Sequence, residues 1–310
     1  RLASALALRQ TAFEQPFYRL VYGDSDTLPG LVIDRFGDYL VAQLNNAGLE
    51  RYREPLLEAL IELLQPAGVL LRADSRSRRE QGLAGDSVVV FGEVPAQVKL
   101  QENSVQFLAP VFEGQKTGWF YDHRMSRARL RPWVKDKAVL DVYSYIGGWG
   151  IQAAAYGAAH VTLVDSSEQA LAGAEENARL NGLEARVRTQ RGSATDVMAQ
   201  MHSAGRQFDV VILDPPAFIQ RRKDLKKGIA AYRRINELGL RLLSPGGLLV
   251  SGSCSMHLPR ADLISAMQQA AVRAGCQLRV VEQGAQGPDH PIHPAIPETE
   301  YLKAVFARKS

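Results

Sequence analysis

Val139-Leu140-Asp141-Val142-Tyr143-Ser144-Tyr145-Ile146-Gly147-Gly148-Trp149-Gly150 decides the fold. An apolar run of strand length passes into a polar, glycine-rich turn, and the turn opens a helical pattern. From there onward short apolar runs alternate with helical stretches, the signature of βα units in an α/β, doubly wound sheet. Seven strands are expected, near residues 139–143, 161–165, 185–190, 208–214, 248–254, 278–282 and 302–307. A helix is expected over 168–180, stopping at Asn181-Gly182 as a helix with a left-handed C-terminal cap does. No long helical pattern separates the last two strands, so they are expected to close the sheet as an antiparallel hairpin.

The glycine-rich turn points to a ligand. Glycines let backbone approach a bound molecule, and the start of a helix presents free N–H groups. The spacing is not G-x-G-x-x-G, which disfavours a nicotinamide dinucleotide. Asp165, at the end of the second strand, is placed to accept hydrogen bonds from ribose hydroxyls, a pairing that suits many nucleoside cofactors. Two further strings close apolar runs: Asp214-Pro215-Pro216-Ala217-Phe218 and Ser253-Cys254-Ser255. Buried parallel strands would bring this carboxylate and this thiol out at neighbouring carboxyl ends, the edge where open α/β sheets bind ligands. Free cysteine is also commonly a small core residue, and Cys276, at the end of an amphipathic helix, is read that way.

Composition narrows the classes. A length of 310 residues suits two domains at roughly 150 residues each. A hydrophobic fraction of 46% is enough for a real core, and no uncharged apolar stretch is long enough to span a bilayer. The chain reads as soluble and cytoplasmic, without a membrane partner. Two cysteines make neither a disulfide framework nor a metal cluster, so no metal is expected. A net charge of +4 permits a nucleic-acid partner without requiring one. Ahead of the sheet, residues 1–15 read as a helix and 16–112 as a small α+β domain, with 113–310 as the doubly wound domain. In the small domain, 31–36 and 39–44 flank Gly37-Asp38 as a hairpin, a helix follows at 52–64, and strands are expected near 69–72, 88–91 and 98–107.

The motifs Gln115-Lys116-Thr117-Gly118-Trp119-Phe120-Tyr121-Asp122-His123-Arg124, Ser144-Tyr145-Ile146-Gly147-Gly148, Asp165, Asp214-Pro215-Pro216-Ala217-Phe218 and Ser253-Cys254-Ser255 occur in that order. With Asp289-His290-Pro291 and Tyr301-Leu302-Lys303 near the end, the whole chain resembles the bacterial 23S rRNA (cytosine-5)-methyltransferases of the large-subunit methyltransferase I type. The resemblance implies a class I methyltransferase fold, S-adenosylmethionine as cofactor with S-adenosylhomocysteine as product, and 23S rRNA or a large-subunit assembly intermediate as partner. A homodimer is left open. The implied cofactor set is Lys116, Thr117, Gly118, Phe120, Asp122, Arg124, Asp141, Ser144, Tyr145, Gly147, Gly148, Asp165, Ser166, Ser193, Ala194, Asp214 and Pro215. The stretch 116–124 would cover the cofactor; if extended, it would turn Asp122 and Arg124 to one side, toward the methionine end. The family usually carries an RNA-binding PUA domain before the helix at 1–15, and nothing similar to it precedes that helix in this sequence.

The chemistry agrees with the residues. Carbon 5 of cytosine is a poor nucleophile until a thiolate adds at carbon 6, a task for Cys254. Asp214 would stabilise charge developing at N3 as the acid partner. Two departures from the family pattern stand out. Ser193 occupies the place of a common acidic adenine contact, and Ala217 that of a polar residue beside the target base. For RNA, the candidates are Pro216 and Phe218 in the acid loop, Arg221, Arg222 and Lys223 after it, Tyr232 for stacking, and a second patch of Arg72, Arg76, Arg78 and Arg79. Two rivals remain: a guanine-nitrogen methyltransferase of the same fold, which needs no thiol, and a non-catalytic RNA-binding or ribosome-assembly protein, which needs neither Asp214 nor Cys254.

Overall fold

Phe17–Tyr22 (β1), Leu31–Phe36 (β2), Tyr39–Leu44 (β3), Gly68–Leu71 (β4) and Val88–Gly92 (β5) pair in sequence order as one five-stranded sheet. The pairs are antiparallel except β3 with β4. That single parallel step is made by the helix Arg53–Leu64, whose leucines pack on the sheet beside Leu20, Leu31, Ile33 and Val69. The computed structural model describes residues 1–83 and 85–310, apart from the side chains of Arg76 and Ser77. It divides into two compact units, Arg1–Arg124 with Gln286–Glu300, and Met125–Ala285 with Tyr301–Ser310.

Two features of the first unit differ from the sequence reading. The apolar stretch 98–107 is a hairpin of Gln97–Glu102 (β6) and Val105–Pro110 (β7) and not one strand. Asn103 and Ser104 turn the chain with φ of 54° and 68°, the left-handed pair that matches the twist of a two-residue hairpin. β1 had no counterpart in the expectation. Its Phe-Tyr-Arg-Leu-Val-Tyr run carries a buried charge, Arg19, which is neutralised by two 2.8 Å hydrogen bonds to Asp34 on the neighbouring strand.

The second unit is built on Ala138–Val142 (β8), His160–Asp165 (β9), Val187–Arg191 (β10), Phe208–Leu213 (β11), Leu243–Ser253 (β12), Leu278–Gly284 (β13) and Lys303–Lys309 (β14). The strand order is β10-β9-β8-β11-β12-β14-β13. β10 to β12 run parallel, and β14 is antiparallel to both β12 and β13. The seven strands and the closing antiparallel pair thus form as the patterning requires, with β14 inserted between β12 and β13. Apolar runs make the centre: Leu140, Val142, Val211, Leu213 and Leu249 are buried in one core, whereas Val-Arg-Thr-Gln-Arg makes the partly exposed edge β10. β12 begins at Leu243, earlier than its apolar run, because Leu243 pairs with Phe208 before the register shifts.

Local signals set the helix Glu168–Leu180 to the residue. Ser167 Oγ accepts the Ala170 N–H at 3.1 Å, and at the far end Leu183 N–H and Gly182 N–H close back on the Ala178 and Arg179 carbonyls. Gly182 adopts the left-handed φ of 66° that this cap demands. The chain winds outward from β8 to β9 and β10 on one side and from β11 to β12 on the other. The reversal therefore falls between β8 and β11, and that is the place where an open α/β sheet has room for a ligand.

Candidate active site

The turn after β8 is held in an unusual shape. Tyr143, Tyr145 and Gly147 have φ of 66°, 50° and 86°. Two non-glycine residues in the left-handed region each cost on the order of 1 kcal/mol, so neighbouring groups must fix them. Val164 O accepts from Tyr143 N at 2.9 Å and from Ser144 N at 3.1 Å, and Asp165 Oδ2 accepts from Tyr145 N at 2.9 Å. Gly147 is required: a Cβ there would lie 2.6 Å from Ile151 Cγ1. Gly150, one turn into the helix Gly148–Ala155, is required too, because a Cβ would run into Leu163 on β9.

Three carboxylates gather at the carboxyl edge. Asp141 on β8 is fully buried, and its Oδ2 accepts the Gly150 N–H at 2.8 Å. Its Oδ1 and the Ser144 hydroxyl oxygen are both buried without a hydrogen-bond partner among the described residues. Burial pushes the Asp141 pKa up to about 8, with the Asp214 and Asp165 charges adding to the rise and the Gly150 N–H and Arg127 opposing it. Asp165 is half-buried, its Oδ1 accepting the Ser167 N–H at 2.9 Å, and Ser166 beside it is exposed. Ser193 is exposed and pairs with Thr195 through a 3.1 Å hydroxyl contact, and Ala194 leans on the core.

Asp214 follows β11 directly. Its Oδ2 accepts the Trp149 Nε1–H at 2.9 Å, and Gly252 on β12 leaves room for its Oδ1, 2.8 Å from where a Cβ would stand. Trp149 is a site residue that sequence reasoning missed. Its indole reaches Asp214, 65 positions later, only because β8 and β11 are neighbours. Cys254 is half-buried immediately after β12, between two fully buried serines, Ser253 and Ser255. Pro215 is buried and Pro216 exposed; Phe218 is half-buried, its ring 4.9 Å from that of Tyr232 and 6.5 Å from that of Tyr143. Tyr232 itself is fully buried with its hydroxyl bound to both serines, which corrects the expectation that it stacks on RNA. Arg221, Arg222 and Lys223 are exposed, and Arg221 is paired with Asp224 at 3.1 Å.

The remaining candidates belong to the first unit. Lys116 is exposed with Nζ 4.8 Å over the Phe120 ring, and Phe120 is half-buried. Thr117 is buried and donates to Asp34, and Gly118, with φ of 101°, could not carry a Cβ beside the Pro110 carbonyl. Tyr121–His123 is a 3-10 turn continuing into the helix Arg124–Ala128, so Asp122 and Arg124 do not share one side of an extended segment. Asp122 is buried and accepts the His123 N–H at 3.0 Å. Arg124 donates to Phe17 O, faces the Phe13 and Tyr121 rings and lies 3.6 Å from Glu102. Its charge is thus committed within the unit. Two members of the second basic patch are corrected likewise. Arg72 bonds Asp74 and Val111 O, and buried Arg78 bonds Leu44 O, Leu83 O and Glu50, each tying loops of its own unit together. Arg79 is exposed, and the side chain of Arg76 lies outside the described residues.

Among the described residues no group of His, Cys, Asp and Glu could hold a metal ion, and no helix is long and apolar enough to cross a membrane. The profile of the S-adenosylmethionine-dependent methyltransferases matches residues 83–308. The chain belongs to that family. Relatives named ribosomal RNA large subunit methyltransferase I, from Shewanella denitrificans and Klebsiella pneumoniae, are each 38% identical over 294 residues. The match covers 94% of this chain and 74% and 73% of theirs. The fold is similar to that of SMU.776, crystallised in complex with SAH, with a TM-score of 0.83 at 21% identity over 99% of this chain and 81% of that one. It is also similar to an S-adenosylmethionine-dependent methyltransferase from Agrobacterium tumefaciens, with a TM-score of 0.63 at 20% identity over 90% and 87% of the two chains.

This methyltransferase takes S-adenosylmethionine as its cofactor, and the edge of its sheet suits that molecule. A cofactor with a fixed sulfonium charge and an ammonium group fits beside three carboxylates, one of which has an unpaired buried oxygen. Asp141, Ser144 and the turn would hold its charged end, and Asp165 its ribose. A consequence follows for pH. Below about pH 8 Asp141 carries a proton in the cofactor-free protein. A cation held against it favours the carboxylate, so binding should release a proton, and affinity should rise by up to about tenfold per unit between about pH 6 and about pH 7.5. Titration calorimetry in buffers of differing ionisation enthalpy reads this directly. Asp141→Asn should weaken binding and flatten the profile; a pH-independent wild-type affinity would contradict the assignment.

Proposed function

We propose that the protein transfers a methyl group from S-adenosylmethionine to carbon 5 of a cytosine in large-subunit ribosomal RNA, with Cys254 as nucleophile and Asp214 as acid. One observation carries this reading: a half-buried thiol closes β12 next to a carboxylate that closes β11, both at the edge where the cofactor turn lies. The RNA class is supported by the relatives' names.

When bound, the cofactor supplies an electrophilic methyl group and leaves as neutral S-adenosylhomocysteine. The rest falls to this chain's residues. The Cys254 thiolate adds to carbon 6, and the displaced π electrons move through carbon 4 onto N3, where Asp214 supplies a proton. Carbon 5 is then the nucleophilic end of an enamine and accepts the methyl group. The N3 proton returns to Asp214, the carbon-5 proton passes to water, and the C6–S bond breaks to release the thiolate and restore the ring. Trp149 orients the Asp214 carboxylate throughout.

RNA carrying 5-fluorocytidine tests the covalent step, because fluorine cannot leave as the proton does. The expected result is a denaturation-resistant protein–RNA complex, attached at Cys254 and absent from Cys254→Ala. Methylation of a guanine nitrogen would give no such complex.

Affinity for RNA should come largely from phosphate contacts. Arg221, Arg222, Lys223, Lys226 and Lys227 are exposed just beyond the acid loop. Neutralising Arg221, Arg222 and Lys223 together should flatten the slope of log K against log salt by roughly 2, at about 0.7–0.9 per phosphate contact. An unchanged slope would remove this stretch from the RNA-binding surface.

A further inference from the structure

Both serines beside Cys254 share one partner. The Tyr232 hydroxyl, from the helix Leu225–Leu242, lies 2.8 Å from Ser253 Oγ and 3.0 Å from Ser255 Oγ. Ser253 Oγ also accepts the Ser255 N–H at 3.2 Å, and Ser255 Oγ accepts the Ile219 N–H at 3.2 Å. Ile219 lies in the loop that runs from Asp214 to the 3-10 turn Arg222–Asp224. A single buried hydroxyl cluster therefore joins the thiol-bearing turn, the acid loop and the helix behind them. Gly228 allows the close approach, since a Cβ on it would run into the Ile219 side chain. From the other side, Lys303 on β14 pairs in register with Ser253, and its buried Nζ donates to Ser255 O at 2.7 Å.

We propose that Tyr232 is a positioning residue for Cys254: through Ser253 and Ser255, which flank the thiol, it fixes the turn that bears Cys254 against the Asp214 loop. This rests on Cys254 being the nucleophile, and the test separates the two ideas. On a Cys276→Ser background, Tyr232→Phe removes one oxygen and keeps the ring. The rate of Cys254 alkylation by iodoacetamide is measured together with kcat and KM. With the turn that bears it untethered, half-buried Cys254 should be alkylated several-fold faster at a fixed pH, as a segment that opens more often is. kcat should fall by roughly 10–100-fold, as small misplacements of a reacting group do, with KM for RNA and cofactor little changed. If that variant folds poorly, Ser255→Ala, which cuts the tie to Ile219 as well, should show the same two changes. An unchanged alkylation rate with unchanged kcat in either folded variant overturns the proposal. Methyl transfer surviving in Cys254→Ala would instead overturn the nucleophile, and alkylation would still report on the cluster.

Discussion

Cys254→Ala should form no detectable methylated product while binding S-adenosylmethionine within a few-fold of the wild-type protein. The asymmetry follows from position. The groups assigned to the cofactor come from the ends of β8 and β9, whereas Cys254 follows β12, on the far side of β11. On the proposed mechanism, removing the thiol deletes the group that adds to carbon 6 and leaves the left-handed turn, Asp141 and Asp165 in place. The side chain is small and half-buried, so the fold should lose only about 1 kcal/mol. Filter binding or calorimetry for the cofactor and a labelled-methyl assay for turnover, run on one preparation, decide the matter. Retained turnover would move the reaction to a ring or exocyclic nitrogen.

Asp214→Asn should lower kcat by roughly 10²–10⁴-fold, the range expected for removing a general acid. An asparagine oxygen can still accept the Trp149 indole N–H, and the amide occupies the space that Gly252 leaves, so geometry is retained while the transferable proton is lost. Complex formation with 5-fluorocytidine RNA should slow in parallel, because protonation of N3 accompanies thiolate addition. A kcat within tenfold of wild type would leave Asp214 as a spectator and require another acid.

Much of this was legible in the sequence, and what was not has identifiable causes. The helix Glu168–Leu180 and the seven strands of the second unit follow from caps and apolar runs, which act within a few residues. The hairpin turn at Asn103-Ser104 lacks the usual glycine, so two short strands read as one. Trp149 and Asp214 meet through the strand order, which spacing along the chain does not encode. Arg78 looked like a surface charge because its partners, Leu44 O and Glu50, come from distant segments. Tyr232 was legible after all. Gly228, Tyr232, Ile235, Asn236 and Gly239 are buried at helical spacing along Leu225–Leu242, and that period outweighs the arginines next to the tyrosine.

Ribosomal RNA from cells lacking the enzyme, incubated with the protein and isotopically labelled S-adenosylmethionine, digested to nucleosides and analysed by mass spectrometry, tests the central claim most directly. The account predicts labelled 5-methylcytidine. Label in methylguanosine would contradict it.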